Sequence, residues 1–221
     1  MTKEEIFAHV DHTLLSVTAT EADIRATVRE GVAYGCASVC IPPRFVRAAA
    51  EEADGRIAIC TVIGFPNGYT SPEAKVAEAK AAIRDGATEL DAVIPVGALR
   101  ARQLDDIREE LFLLREATQG CILKVIIETC LLTDEEKRLM CNVVSASGAD
   151  FIKTSTGFST EGATDADVML LAKYAKNGLR VKAAGGIRNF DDAARFLALG
   201  ADRLGTSRLV KLMQNEEAKG Y

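Results

Sequence analysis

The stretch SASGADFIKT, residues 145–154, ends one helical pattern and begins a short apolar strand. The chain repeats this arrangement in RDGATELDAVI (84–94) and LALGADRLGT (197–206). Each copy gives the end of a helix, a Gly-Ala pair, one polar residue and then a strand. The spacing of the copies predicts a strand-and-helix unit that recurs about eight times in 221 residues. This is the organisation of a (β/α)8 barrel, the TIM-barrel fold.

Short segments rich in valine and isoleucine alternate with helical segments along the whole chain. They are mostly apolar throughout, as parallel strands covered by helices are. A doubly wound open sheet is the alternative, but no GxGxxG follows the first strand and no Walker A motif is present. The predicted strands are 12–15, 37–41, 56–64, 89–95, 121–128, 150–154, 179–185 and 202–206.

No linker or change in composition divides the chain. We therefore predict one barrel domain over residues 1–221, with a short N-terminal helix within 1–10 and a polar, mobile tail at 215–221. The sequence also predicts where some helices begin. Thr133 and Glu136 form a capping-box pattern. Asp165 is a predicted N-cap, and Pro72 is suited to the first turn of a helix.

Composition excludes several classes of function. The net charge is −5 and no dense basic run occurs, so nucleic acid and acidic membranes are unexpected partners. The six cysteines are scattered and form no CxxC pair, which is typical of reduced core residues in a cytoplasmic protein. The N-terminus has no apolar signal-peptide core, and no apolar run approaches the ~18 residues of a membrane span.

Two lysines lie where a barrel of this kind builds its active site, at the C-terminal ends of strands. Lys153 and Lys182 are near the ends of the sixth and seventh predicted strands. A second ammonium about 4 Å away opposes the charged form of the first by roughly 4 kcal/mol. A deprotonated lysine is the nucleophile of Schiff-base catalysis. For a single strand lysine, a structural ion pair or a register shifted by one residue is the alternative.

Asp91, within the apolar fourth strand, is the predicted proton shuttle or counter-charge for these lysines. Glycines follow three successive strands, namely Gly157, the pair Gly185-Gly186, and Gly205. An ordinary turn explains any one of them, but together they predict a phosphate site, because loops after strands seven and eight often bind phosphate in this fold. The two histidines, His9 and His12, lie outside any metal-binding motif, so no metal site is predicted.

These segments together resemble the 2-deoxyribose-5-phosphate aldolase family, class I aldolases on a (β/α)8 barrel. The similarity runs from DHTLL (11–15) to LGTSRL (204–209). Its most specific parts are ELDAVIP (89–95), LKVIIET (123–129), FIKTSTGF (151–158) and VKAAGGIR (181–188).

The resemblance implies reversible cleavage of 2-deoxy-D-ribose 5-phosphate to acetaldehyde and D-glyceraldehyde 3-phosphate, in deoxyribose phosphate catabolism. Lys153 would form the Schiff base, Lys182 would perturb it and transfer protons, and Asp91 would be the acid/base partner. Neither metal nor organic cofactor is implied. The substrate- and phosphate-binding positions would be Asp11, Thr13, Cys40, Thr156, Gly157, Gly185, Gly186, Gly205 and Ser207.

The chain departs from some family members at Phe158, where they carry a lysine near the phosphate. Phosphate binding is therefore expected to depend more on backbone amides. The C-terminal Tyr221 matches a tyrosine that assists proton transfer in some members, and the family implies a homodimer or a higher homo-oligomer.

Two other functions stay open from the sequence. Another Schiff-base lyase or a transaldolase would share the nucleophile but would not use acetaldehyde as donor. A sugar-phosphate-binding regulator would keep the barrel without its chemistry, although binding alone does not need the pair Lys153 and Lys182 with Asp91.

Overall fold

Eight parallel strands pair in chain order, and the eighth pairs with the first to close a barrel. The computed structural model describes residues 1–214, so the predicted tail at 215–221 and Tyr221 lie outside the described residues. The predicted (β/α)8 fold is confirmed. The strands are β1 Val10–Thr13, β2 Ser38–Ile41, β3 Ala58–Ile63, β4 Glu89–Val93, β5 Ile122–Ile126, β6 Phe151–Lys153, β7 Arg180–Ala184 and β8 Arg203–Thr206.

Helices cover the outside of the barrel. Short 3-10 turns at Pro43–Phe45 and Thr129–Leu131 follow β2 and β5. The helices are α1 Lys3–Phe7, α2 Glu21–Ala33, α3 Val46–Ala53, α4 Pro72–Arg84, α5 Val96–Arg100, α6 Leu104–Ala117, α7 Asp134–Ala146, α8 Asp165–Tyr174, α9 Phe190–Ala198 and α10 Leu209–Met213. Among residues 1–214, no helix has the length and apolarity to cross a membrane.

Local signals set the starts of most of these helices. The capping box predicted at α7 is present: the Thr133 amide donates to Glu136 at 2.8 Å, and the Glu136 amide donates to the Thr133 hydroxyl at 3.3 Å. At α8 the predicted cap is wrong by one residue, because Thr164, not Asp165, accepts the backbone N–H of Asp167. The Asp165 carboxylate instead pairs with Arg195 at 2.9 Å.

The first strand lies two residues earlier than the predicted segment 12–15. Val10 pairs with Leu204 of β8, and this contact, which closes the barrel, cannot be read from the local pattern. Asp11 therefore lies within the strand, and its side chain is fully buried inside the barrel. His12 points outward instead, and its Nε2 lies 2.8 Å from a carboxylate oxygen of Glu30 on α2.

The barrel has an apolar outer layer and a charged interior. Side chains such as Leu90, Val125 and Ile152 are fully buried between the strands and the helices. Inside the barrel, fully buried positions include Asp91 and Lys182. Buried charges are costly unless they are paired, so the interior charges define the site to examine.

Candidate active site

The register of the strands brings the predicted catalytic residues to one level of the barrel. Lys153 at the end of β6 pairs directly with Lys182 on β7. Across the barrel, Asp91 on β4 is level with Lys124 on β5. Side chains of alternate residues point inward, so these positions face one another across the interior.

One carboxylate oxygen joins the two lysines. The Nζ atoms of Lys153 and Lys182 each lie 2.7 Å from Oδ2 of Asp91, so they are no more than twice that distance apart. Asp91 and Lys182 are fully buried, whereas Lys153 retains 3% of its surface. Of the three, Lys153 is the last residue of its strand and the one that keeps contact with solvent.

A second set of charges adjoins this trio. The Nζ of Lys124 is 2.9 Å from Oδ1 of Asp91 and 2.7 Å from Glu89. Arg203 lies 2.6 Å from Asp11 and 3.2 Å from Glu89. Asp11 also accepts a hydrogen bond from Lys182 and one of 2.7 Å from the Ser38 hydroxyl. Four cationic side chains therefore share three carboxylates inside the barrel.

The electrostatic consequences follow from this sharing. Burial opposes the ionised form of Asp91, but the ammonium groups of Lys124, Lys153 and Lys182 hold its pKa well below the usual value. The pKa of Asp11 is lowered in the same way. Burial alone would raise it, but the nearby charges of Lys124, Lys182 and Arg203 outweigh burial. Burial likewise disfavours the charged form of Lys182, yet the carboxylates of Asp11 and Asp91 raise its pKa above the ordinary value. The cluster thus consists of ionised groups that stabilise one another.

Two thiols adjoin the charged cluster. Cys40 and Cys60 are register partners on β2 and β3, and the Cys60 thiol donates to Oδ1 of Asp91 at 3.2 Å. Burial raises the pKa of Cys60 well above its ordinary value, so this sulfur is a protonated donor. Cys40 is fully buried and packs with Leu15 and Val62.

Two groups of described residues could offer metal ligands, and both include Cys60: one adds Cys40 and Asp91, and the other adds Asp11 and Glu89. Ligand atoms of Cys40, Cys60 and Asp91 lie within 4.8 Å of one another. However, the Asp91 carboxylate already contacts three lysine ammonium groups. Their positive charge opposes a further cation, so this donor set fits the lysines better than a metal ion.

Glycines build a cavity of about 260 Å³ beside the lysines, at the ends of β6, β7 and β8. Gly185 and Gly186 have φ angles of +76° and +79°, which residues with a Cβ rarely adopt. A Cβ at Gly185 would lie 2.8 Å from Cα of Gly162, and one at Gly205 would lie 3.3 Å from Cε of Lys182. The cavity therefore exists because these positions lack side chains, and it adjoins the Lys182 side chain.

The structure places six of the nine predicted binding residues along two cavities. Gly157, Gly185, Gly186, Gly205 and Ser207 line the glycine-rich cavity together. Thr13 lies in a neighbouring cavity of about 380 Å³, which also contains Ser207.

Asp11 and Thr156 have other partners. Asp11 belongs to the buried charge cluster. The Thr156 hydroxyl donates to Glu128 and accepts the Phe158 amide at 3.1 Å. The hydrogen bonds of the Thr156 side chain therefore stabilise the loop after β6.

Phe158 lies at the rim of the glycine-rich cavity and is 47% exposed. Its ring packs edge-to-face against Phe65, with ring centroids 5.3 Å apart. The two residues connect the loops after β3 and β6 across the open end of the barrel. An apolar cavity of about 580 Å³ lies on the other side of Phe158.

Sequence reasoning missed two members of the charged cluster, Glu89 and Arg203. Both lie at the beginning of a strand, whereas the active site of a barrel is expected at the C-terminal ends of its strands. A signal was present for Glu89, because it precedes Asp91 by two residues and must share its inward face. For Arg203 the comparable signal is its register opposite Lys182, which only the assembled sheet provides.

The chain is similar over nearly its whole length to known aldolases. Residues 6–213 match the sequence profile described as DeoC/LacD family aldolase. The chain is 52% identical over 219 residues to a deoxyribose-phosphate aldolase of Streptococcus pyogenes, covering 99% of this chain and 98% of the relative. It is 51% identical, with the same coverage, to one of Streptococcus agalactiae. A solved structure from Aeropyrum pernix, described as a unique tetrameric deoxyribose phosphate aldolase, superposes with a TM-score of 0.88 at 35% identity, covering 96% of this chain and 92% of that chain.

Proposed function

Since the chain belongs to the DeoC/LacD family of aldolases, we propose that it cleaves 2-deoxy-D-ribose 5-phosphate reversibly to acetaldehyde and D-glyceraldehyde 3-phosphate. The enzyme is a carbon–carbon lyase, and the names of its relatives support this substrate. The observation that carries the proposal is the contact of Lys153 and Lys182 with the same Asp91 oxygen, next to a glycine-rich cavity.

The contacts distinguish the two lysines. Lys153 contacts one carboxylate, which it shares with Lys182, whereas Lys182 contacts two. Four cations facing three carboxylates leave an excess positive charge, which is relieved when one amine gives up its proton. We assign the nucleophile to Lys153, the lysine of the two that keeps contact with solvent, and the proton donor to Lys182.

In the first half-reaction the amine of Lys153 attacks C1 of the open-chain sugar. The carbonyl oxygen leaves as water, and a C=N⁺ bond remains between C1 and Nζ. The iminium accepts the electron pair when the C2–C3 bond breaks, and the C3 hydroxyl gives up its proton. The two-carbon and three-carbon products require cleavage between C2 and C3 rather than between C3 and C4. The Asp91 carboxylate, which accepts a hydrogen bond of 2.7 Å from Lys182, is the group that receives this proton.

In the second half-reaction the enamine on Lys153 is protonated at C2. Water then adds to the iminium at C1, and acetaldehyde leaves as the free amine is regenerated. Lys182 is suited to supply the C2 proton, because it is buried beside Lys153 and its raised pKa keeps it protonated. The proposed steps require no metal ion and no organic cofactor.

We further propose that the enzyme is a cytoplasmic homo-oligomer. The free thiols of all six cysteines support a reducing compartment. The tetrameric relative from Aeropyrum pernix supports assembly.

Borohydride trapping tests the reaction directly. The protein is reduced with borohydride in the presence of acetaldehyde or 2-deoxyribose 5-phosphate, and the adduct is located by peptide mass spectrometry. We expect an adduct on Lys153 that is absent in Lys153→Ala and retained in Lys80→Ala, which alters an exposed lysine on α4. An adduct on Lys182 would reverse the assignment of the two lysines. A folded protein that gives no lysine adduct with either compound would refute the proposed mechanism, and adducts with ketoses but not acetaldehyde would indicate a transaldolase.

A further inference from the structure

We propose that the Arg208 side chain sets the preference of this enzyme for the phosphorylated sugar. Arg208 would do so by adding a fixed positive charge to a cavity that otherwise offers neutral donors. The inference rests on the proposed function, because it assumes that the glycine-rich cavity receives the substrate phosphate.

The lining of the cavity carries the argument. Among the nine described residues that line it, Arg208 is the one with a charged side chain. Three glycines and the hydroxyl residues Thr206 and Ser207 supply backbone amides and neutral polar groups on the side of β7 and β8. Neutral donors position an oxyanion, but a hydrogen bond from a charged donor is roughly twice as strong.

The backbone of Arg208 is held in place by hydrogen bonds to the barrel. Its backbone amide donates to the Thr206 hydroxyl at 3.1 Å, and that hydroxyl donates to the Ile187 carbonyl at 3.3 Å. These contacts tie the residue to the ends of β7 and β8, immediately before α10. The side chain is half-buried and lies where the glycine-rich cavity meets two others. It can therefore present a guanidinium without a rearrangement of the loop.

No other charged side chain lines this cavity among the described residues, although Arg188 and Lys211 line the two cavities that adjoin it. Phe158 faces it from the loop after β6, where its ring packs against Phe65. Arg195 belongs to the adjoining cavity of about 600 Å³, but it pairs with Asp165 at 2.9 Å and with Asp192 at 3.0 Å. Its charge is thereby largely balanced. An apolar residue on one side of the cavity is thus complemented by Arg208 on the other.

The size of the effect follows from general hydrogen-bond strengths. Loss of a charge-assisted hydrogen bond lowers kcat/KM for the phosphorylated sugar by roughly 10- to 100-fold. The unphosphorylated sugar has no dianion to bind, so its kcat/KM stays within about twofold. The ratio of the two values is therefore the quantity that Arg208 controls.

The experiment compares kcat/KM for 2-deoxyribose 5-phosphate and 2-deoxyribose in the wild type, Arg208→Gln, Arg208→Lys and Arg44→Gln. Arg44 is an exposed arginine at the opposite rim, beside the apolar cavity, and serves as the matched control. We expect the ratio to fall in Arg208→Gln, to be largely kept in Arg208→Lys, and to be unchanged in Arg44→Gln. The wild type and all variants are also checked for the Lys153 adduct with acetaldehyde, which needs no phosphate site.

Each result has a definite meaning. An unchanged ratio in Arg208→Gln would overturn the inference and leave phosphate recognition to the backbone amides. An equal fall for both sugars, or an equal fall of the ratio in the Gln and Lys variants, would also overturn it, because charge would not be the operative property. If the wild type forms no Schiff base and cleaves neither sugar, the proposed function fails instead, and that failure is visible before any variant is made.

Discussion

At the scale of single residues, Asp91 is the centre of the site. Its two carboxylate oxygens contact the side chains of Lys124, Lys153 and Lys182 and accept the Cys60 thiol. No other carboxylate of the described residues joins the two lysines on β6 and β7. Its charge and its geometry therefore act on the proposed nucleophile and on the proposed proton donor together.

Asp91→Asn tests this role with little change in volume. The amide cannot accept the C3 proton and does not balance the lysine charges, so we expect kcat to fall by about 10²- to 10⁴-fold. Steady-state cleavage kinetics measure the effect, with circular dichroism to check the fold. Asp54→Asn is the matched control, because Asp54 is exposed at the end of α3 and asparagine tolerates its left-handed conformation. A kcat within about threefold of the wild type would exclude Asp91 from proton transfer.

The charges that adjoin Asp91 should set the pH range of activity. Glu89 contacts Lys124 at 2.7 Å and Arg203 at 3.2 Å. Glu89→Gln increases the excess positive charge, which favours a neutral amine, so the acid limb of the kcat/KM profile should move to lower pH by about half to one unit. Arg203→Met decreases the excess and should move it to higher pH. Shifts in the same direction for the two variants would contradict this electrostatic explanation.

The sequence predicted the residues at strand ends better than those deeper in the barrel. Lys153, Lys182 and Asp91 stand out because a charge within an apolar strand is locally visible. Their common oxygen contact was not visible, since it depends on the register between β4, β6 and β7. The repulsion predicted between two neighbouring ammonium groups describes only part of the electrostatics of the site. Asp91 lies between the two lysines, and Asp11 holds Lys182 in its charged form.

At the scale of elements, a buried ion pair joins α4 to α6. The Nζ of Lys75 lies 2.6 Å from Glu110 and 2.9 Å from the Val93 carbonyl, and its aliphatic chain covers Gly64 at the start of the loop after β3. Burial lowers the pKa of Lys75 and raises that of Glu110. Both pKa values are shifted toward the neutral forms. Removing the two charges from water therefore costs more free energy than the attraction between Lys75 and Glu110 returns.

Glu110→Gln should therefore destabilise the protein strongly, by roughly 3–5 kcal/mol, because it leaves the Lys75 ammonium buried without a counter-charge. The double variant Lys75→Met/Glu110→Leu removes both charges and should regain most or all of this stability. Urea unfolding followed by circular dichroism measures the free energies. A double variant as unstable as Glu110→Gln would show that the attraction within the ion pair stabilises the contact. The loss in Glu110→Gln would then not come from leaving one buried charge unpaired.

Element boundaries were predictable where their cause is local. The capping box at Thr133 involves residues three apart, and the sequence showed it. The start of β1 depends on Val10 pairing with Leu204, nearly the whole chain away, and the sequence placed it two residues late. The cap of α8 is an exception: two residues suited to capping, Thr164 and Asp165, stand side by side, and Thr164 is the one that accepts the Asp167 amide.

At the scale of the whole molecule, closure of the barrel places seven ionisable side chains in a buried interior, so its stability depends on pH. The carboxyl groups of Asp11 and Asp91 have pKa values below those of the unfolded chain, because the lysines and Arg203 outweigh burial. Groups of this kind contribute their full stability above the unfolded pKa, near 3.9, and lose it as the pH falls below that value. The charge cluster thus couples the active site to acid stability.

We therefore expect the unfolding free energy of the wild type to fall steeply as the pH is lowered from about 5 to about 3. Asp91→Asn removes one of the responsible carboxyl groups. It should be less stable than the wild type at pH 7, because it leaves buried lysines less well balanced, but its stability should change less with pH. Urea unfolding at several pH values gives the slopes, and Asp54→Asn should keep the wild-type slope. If Asp91→Asn keeps it as well, the interior charges do not govern acid stability, and surface carboxylates with lowered pKa values, such as Asp23 and Asp85, become the groups to test.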